Sequence, residues 1–176
     1  MSRVDDVTVR LLSADDSLAE LTGLLHRAYA SLAAMGLNYT AVDQDQAVTR
    51  RRTERGTCFV AVSGGTIVGT VTVYHPGRLT VCEWYRRPGT AVFGQFAVQP
   101  KRQGQGIGVL LLERAEQCAY DLGASELACD TAERALRLIE WYSRRGFRAV
   151  DRVQWEGKTY ESVVLSKTLV RTAPTS

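Results

Sequence analysis

A chain of 176 residues is the length of one ordinary domain, with room for a sizeable core. Its net charge of +3 is too small to argue for nucleic acid by itself, and no apolar run approaches the length of a membrane span. The opening Met1-Ser2-Arg3-Val4-Asp5-Asp6 is too polar for a signal peptide.

Residues 7–12 read as a short strand. Ser13-Ala14-Asp15-Asp16 then has the pattern of a capped helix start, with an acidic residue three after the serine. Leu18, Leu21, Leu25, Ala28 and Leu32 follow at spacings of three and four, one face of a helix. The segment 35–40 breaks it. Thr40 and Asp43 repeat the cap spacing and open a second, more polar helix to about Thr53. Residues 58–62 and 67–74 are rich in β-branched side chains and flank Ser63-Gly64-Gly65-Thr66, a strong hairpin signal. The stretch 75–90 is irregular, and residues 81–85 within it read as an extra strand or a loop.

Residues 91–98 form the pattern of a buried strand, and residues 109–122 that of a helix stopped by Gly123. Residues 126–129 are another strand. Asp130 or Thr131 is expected to cap a helix that ends at Arg145-Gly146. Residues 147–155 and 159–166 suit a closing hairpin around Glu156-Gly157-Lys158. Cys58, Cys82, Cys118 and Cys129 lack close-pair spacing, and with two histidines they offer no ligand set for zinc or another metal. Reduced thiols in a cytoplasmic protein are expected, those of Cys58, Cys118 and Cys129 in apolar surroundings.

Strand–helix–strand at 91–129 implies one parallel pair with a right-handed crossover, and the rest of the sheet reads as antiparallel. The expected fold class is therefore α/β (α+β): one domain over residues 1–170, a mixed and mostly antiparallel sheet with helices on both faces. Residues 171–176 are expected to be a disordered tail.

Chemistry concentrates at the junction Val98-Gln99-Pro100-Lys101-Arg102-Gln103-Gly104-Gln105-Gly106-Ile107-Gly108. Glycines there let a ligand approach the backbone closely. A helix N-terminus offers unpaired N–H donors and a partial positive charge, which suits phosphate oxygens. No Gly-Lys-Ser/Thr follows, so a P-loop is excluded. A dinucleotide-binding fold is disfavoured, because its loop follows the first strand of a repeated βαβ set. Arg50-Arg51-Arg52 reads as a solvated helix face.

The segment Lys101-Arg102-Gln103-Gly104-Gln105-Gly106 resembles the acyl-CoA-binding motif of the GNAT superfamily of N-acyltransferases, Gln/Arg-x-x-Gly-x-Gly/Ala. Lys101 departs from the motif's first position, and Gln103 stands where members very often carry arginine. Tyr142-Ser143-Arg144-Arg145-Gly146-Phe147 is similar to the family's Tyr-x-x-x-Gly-Phe, although Ala135 replaces the asparagine many members have seven residues earlier.

The resemblance implies an N-acetyltransferase that uses acetyl-CoA and passes its acetyl group to an amine acceptor in a ternary complex. It implies that backbone groups of Phe96, Ala97 and Val98 hold the pantetheine and polarise the carbonyl. Amides of Gln103, Gly104, Gln105, Gly106, Ile107 and Gly108 would bind the pyrophosphate, with charge from Lys101 and Arg102. Tyr142 would protonate the leaving thiolate. The strand before the glycine loop carries Gln95 where members often have a glutamate base, and Glu83 and His75 are alternatives. The acceptor side points to Met35, Asn38, Tyr39, Gln95, Trp155 and Tyr160, with packing over the core the favoured role for Trp155 and Tyr160. The implied partner is a small-molecule or peptide amine, with no nucleic acid and no membrane; a homodimer is admitted without being required. A non-catalytic acyl-CoA sensor and a nucleotide-binding regulatory domain remain open alternatives.

Overall fold

The β-branched runs on either side of Gly64-Gly65 pair as an antiparallel hairpin, β2 (Thr57–Ser63) with β3 (Thr66–Tyr74), and both glycines take positive φ in the turn. This hairpin belongs to a seven-stranded sheet in a computed structural model that describes residues 6–170. The tail expected from residue 171 lies outside the described residues. The strand order is β1-β2-β3-β4-β5-β7-β6, with β1 (Val7–Leu11), β4 (Thr90–Val98), β5 (Glu126–Ala132), β6 (Arg148–Val153) and β7 (Ser162–Thr168). Every pairing is antiparallel except β4 with β5. That is the expected mixed sheet with one parallel crossover.

Helices cover both faces. On one, α1 (Leu18–Ala34) lays Leu21 and Leu24 on Val60 and Ile67. On the other, α5 (Ile107–Asp121) buries Leu111, Leu112 and Ala115 against Phe59, Val71, Val73 and Phe93. The last helix, α6 (Leu136–Ser143), joins the α5 face through Leu138, Ile139 and Tyr142.

Several local expectations are corrected. The cap of α1 is Ser17, whose hydroxyl accepts from the Glu20 amide at 3.2 Å. Asp16 is drawn off by the Ser13 amide and by Arg10, both at 2.7 Å. The second helix is two: α2 (Thr40–Asp43) and α3 (Gln46–Glu54). Extended backbone at Gln44 separates them, and Asp45 caps α3 by accepting from Val48 at 2.8 Å. Residues 81–85 hold no strand; α4 (Glu83–Arg86) occupies the region and buries Tyr85. Asp130 and Thr131 cap nothing. Seven consecutive pairs with β7 keep β5 extended through Ala132, and α6 begins after Ala135 without a side-chain cap.

Candidate acyl-CoA and acceptor site

The parallel pairing of β4 with β5 ends after Val92 and Ala128. Beyond it β4 stays with β3, β5 stays with β7, and the two strands part. A bulge enlarges the break. Thr70 and Thr72 of β3 oppose Ala97 and Gly94, so β4 carries one residue too many, and Gln95 absorbs it with φ of 48°. A non-glycine residue at positive φ costs energy and needs its surroundings to hold it. Here the hold is a buried amide network. Gln95 Oε1 accepts from Gln44 Nε2 at 2.9 Å, and Gln95 Nε2 faces Thr72 Oγ1 at 3.4 Å.

The bulge turns Phe96 and Val98 toward the α5 face, where both pack on the core cluster under that helix. Their peptide groups point away from β3: the Phe96 carbonyl accepts from the Tyr29 hydroxyl at 3.2 Å, and the Val98 carbonyl from the Gln103 side chain at 3.1 Å. In an antiparallel strand a residue's N–H points the same way as its C=O, so both amides face the opening. Tyr39 braces the opposite edge. Its hydroxyl accepts from the Ala132 amide and bonds Thr131 Oγ1, each at 2.8 Å.

A cavity of about 1000 Å³ runs through this opening. Its α5-side wall is Gln103, Gly104, Gly106, Gly108, Trp141 and Tyr142. A turn of 3₁₀ helix (Pro100–Arg102) leads into that wall, and α5 starts after Gly106 at φ of 90°. The amides of residues 104–108 donate to no acceptor among the described residues. Five consecutive N–H groups at the helix start are thus left without a protein acceptor, a donor pattern that suits an anion such as a pyrophosphate. The site residues divide accordingly. Ile107 is buried in the core, so only its amide belongs to that row. Lys101 and Gln105 do not line the cavity. Arg102 borders it, but its guanidinium is spent on Gln105, Ser63 and Asp6 at 2.8, 3.1 and 3.3 Å. Arg145 also lines the cavity, stacked 3.6 Å over Trp141.

Tyr142 reaches the same space from α6, between Phe93, Phe96, Trp141 and Phe147. Burial pushes its hydroxyl well above the ordinary phenol range, with the adjacent Cys129 thiol acting the same way, so it stays protonated and can donate.

Past the opening the cavity continues among Tyr29, Tyr39, Tyr74, Leu79, Trp155 and Tyr160. Asn38 does not line it. Its side chain clamps the 157–159 turn, donating to Gly157 O at 2.8 Å and accepting from the Thr159 amide at 2.9 Å. Met35, His75 and Glu83 are outside it too. Asp130 and Arg52 are among the lining residues that the sequence did not single out. Asp130 accepts from Tyr85 Oη at 2.8 Å and Trp155 Nε1 at 2.9 Å. Arg52 turns inward from the expected solvated face, donating to Gln44 Oε1 at 2.7 Å. No signal short of the β5–β7 register and the α2–α3 break could have placed them.

Among the described residues no group of His, Cys, Asp or Glu is arranged to hold a metal, and no helix is long and apolar enough to cross a membrane. A family model described as the acetyltransferase (GNAT) family matches residues 22–147. No curated protein matches the sequence significantly. Solved structures share the fold. A GNAT family acetyltransferase from Elizabethkingia anophelis with acetyl-CoA bound has 19% identity and a TM-score of 0.67, covering 94% of this chain and 99% of that one. An acetyltransferase from Streptococcus agalactiae has 21% identity and a TM-score of 0.70, covering 93% and 99%. The ribosomal-protein-S18-alanine N-acetyltransferase from Escherichia coli has 16% identity and a TM-score of 0.70, covering 97% and 98%. With the matched model spanning well over half of its length, the chain belongs to the GNAT acetyltransferase family, whose members are acyltransferases that use acetyl-CoA.

Proposed function

We propose that this chain transfers the acetyl group of acetyl-CoA to the nitrogen of an amine by direct attack in a ternary complex. One observation carries the reading: a single cavity runs from Gly104, Gly106 and Gly108 at the start of α5, past Tyr142, to the far side of the opening lined by Tyr29, Tyr74, Asp130 and Trp155. An acyl-CoA sensor would need the amide cradle and not that far chamber. A nucleotide-binding regulatory domain would need neither Tyr142 nor a passage between the faces.

The amides of residues 104–108 would hold the pyrophosphate and those of Phe96 and Val98 the pantetheine arm, which brings the thioester into the opening. The cofactor supplies an activated acetyl group. The amine nitrogen bonds to the acetyl carbon as the carbon–sulfur bond breaks. Tyr142 gives its proton to the departing sulfur, and the Asp130 carboxylate takes the proton lost by the amine. Aromatic walls exclude water, which strengthens these polar contacts.

The test is a thermal-shift series followed by a thiol-release screen over amines. Acetyl-CoA at about a hundred times its Kd should stabilise the fold by about 2.7 kcal/mol, with little shift from NAD or ATP. Acetyl-CoA binding with no thiol release from any amine would favour the sensor instead.

A further inference from the structure

Arg52 is the one member of the Arg50-Arg51-Arg52 run that leaves solvent and lines the cavity. Its position is fixed from behind. Gln44, only 4% exposed, accepts from Nη1 while its own amide bonds Thr49 Oγ1 at 2.7 Å and Gln95 Oε1 at 2.9 Å. Arg52 Nη2 would lie 3.8 Å from a Cβ on Gly94, so the guanidinium borders the opening on the β4 side. Tyr74 lies beside both: its ring edge would meet that same Cβ at 3.3 Å, and the Arg52 charge draws its buried hydroxyl's pKa down against the rise that burial causes.

The guanidinium has five N–H donors, more than its bond to Gln44 and its contact with the Tyr74 hydroxyl use. Among the described residues no carboxylate stands within ion-pair distance of it. A partly desolvated cation with idle donors is matched by an anion that arrives with the ligand. The opposite border of the opening, on β5, carries Asp130. The chamber thus presents a cation on one strand edge and an anion on the other, with Leu79, Tyr74 and Trp155 as an apolar wall between.

Resting on the acetyltransferase reading, we infer that the acceptor is an amine of the amino-acid class: its carboxylate pairs with Arg52, its amine turns to Asp130 and the thioester, and an apolar or aromatic body packs on the wall. Polyamines are a poor match. The chamber sets Arg52, Arg55 and Lys158 against Asp130 and Glu156, so a second ammonium meets excess positive charge.

The experiment compares pairs in which a carboxylate becomes an amide, with kcat/KM expressed per free-base amine because that change also lowers the basicity of the amine. L-phenylalanine and L-phenylalaninamide, L-leucine and L-leucinamide, and spermidine are assayed with saturating acetyl-CoA by thiol release, in wild type, Arg52→Gln and Arg52→Lys. Wild type should prefer each carboxylate over its amide by about 10- to 100-fold in kcat/KM, as for charge-assisted hydrogen bonds. Arg52→Gln should erase that preference, while CoA affinity by calorimetry stays at its wild-type value; Arg52→Lys should keep part of it. Equal use of acid and amide, better use of spermidine, or a preference that survives in Arg52→Gln would overturn the inference. Binding of 3-phenylpropionate and 3-phenylpropionamide to the CoA complex, read by calorimetry, decides the matter where no amine turns over. Carboxylate binding lost in Arg52→Gln upholds the Arg52 subsite while the transferase reading fails, and no carboxylate binding in wild type sinks the subsite.

Discussion

Gln44 donates a 2.9 Å hydrogen bond to Gln95, joining the break between two helices to the bulge that opens the sheet. Both side chains are buried, at 4% and 2% exposure, and the same Gln44 amide group accepts from Arg52. The strained residue of β4 and the cation of the acceptor chamber are therefore held by one side chain. The geometry of the opening depends on a polar contact made from the far side of the chamber.

Gln44→Leu tests that dependence. It keeps similar bulk and strands Gln95 Oε1, while Thr49 Oγ1 keeps its bonds to Thr22 and Asp45 and Arg52 loses its anchor but still faces the cavity. Each buried group left unsatisfied costs about 1–3 kcal/mol, and relaxation into the chamber recovers part of it. A loss of about 1–3 kcal/mol in denaturant unfolding is expected. CoA binding should weaken only as far as the Phe96 and Val98 contacts to the pantetheine arm follow the bulge, because the glycine loop before α5 makes no contact with Gln44. Wild-type stability in this variant would mean that the network does not hold the bulge.

Gly106→Val acts on the cradle itself. At φ of 90° a β-branched residue is strained by about 1–2 kcal/mol, and its side chain stands beside the free amides where a pyrophosphate must come. The variant should fold with a lower melting temperature and lose CoA binding by calorimetry. Wild-type CoA affinity would place the cradle elsewhere.

The glycine-rich start of α5 was legible in the sequence because its physics is local. Alternating glycines, a preceding apolar strand and the start of a helix all sit within a dozen residues, and so does the Tyr142 to Phe147 segment. The acceptor chamber was not legible, because long-range pairing decides it. Asp130-Thr131 has the composition of a helix cap, and only pairing with Val163 and Val164 holds it in a strand. Arg52 sits in a run of three arginines, and the extended backbone at Gln44 sets which one turns inward. Asn38 and Tyr39 came from the resemblance, yet Asn38 clamps a turn and the Tyr39 hydroxyl braces β5, so their polar groups are engaged with the protein's own backbone.

Alkaline pH should unfold the protein cooperatively. Burial raises the hydroxyls of Tyr85 and Tyr142 well above their ordinary value of 10.0, and the thiol of Cys129 well above 9.0. The unfolded chain releases these protons at the ordinary values while the folded chain retains them. Their contribution is thus whole below about pH 8.5 and falls as pH rises through 9 and 10, by up to about 1.4 kcal/mol per unit for each group. Phenolate absorbance should rise in step with the loss of circular dichroism. Full ionisation of the tyrosines near pH 10 in a folded protein would contradict these environments.

Tyr142→Phe isolates the proposed proton donor. The ring stays to pack against Phe93 and Phe147, whose centroids are 5.9 and 5.5 Å away, so the fold and CoA affinity should change little. If the hydroxyl protonates the departing sulfur, kcat should fall within the range of about 10²–10⁴-fold typical of a lost general acid. The thiolate of CoA is a fairly good leaving group, which puts the expected loss at the lower end. Because burial keeps the hydroxyl protonated past the ordinary phenol range, the wild-type rate should show no decline from this group between pH 7 and 9. The comparison uses saturating acetyl-CoA and an acceptor for which a burst-free time course shows that chemistry limits the rate. An unchanged kcat across that range would leave Tyr142 as a wall of the cavity and require the sulfur to leave unprotonated or to take its proton from water.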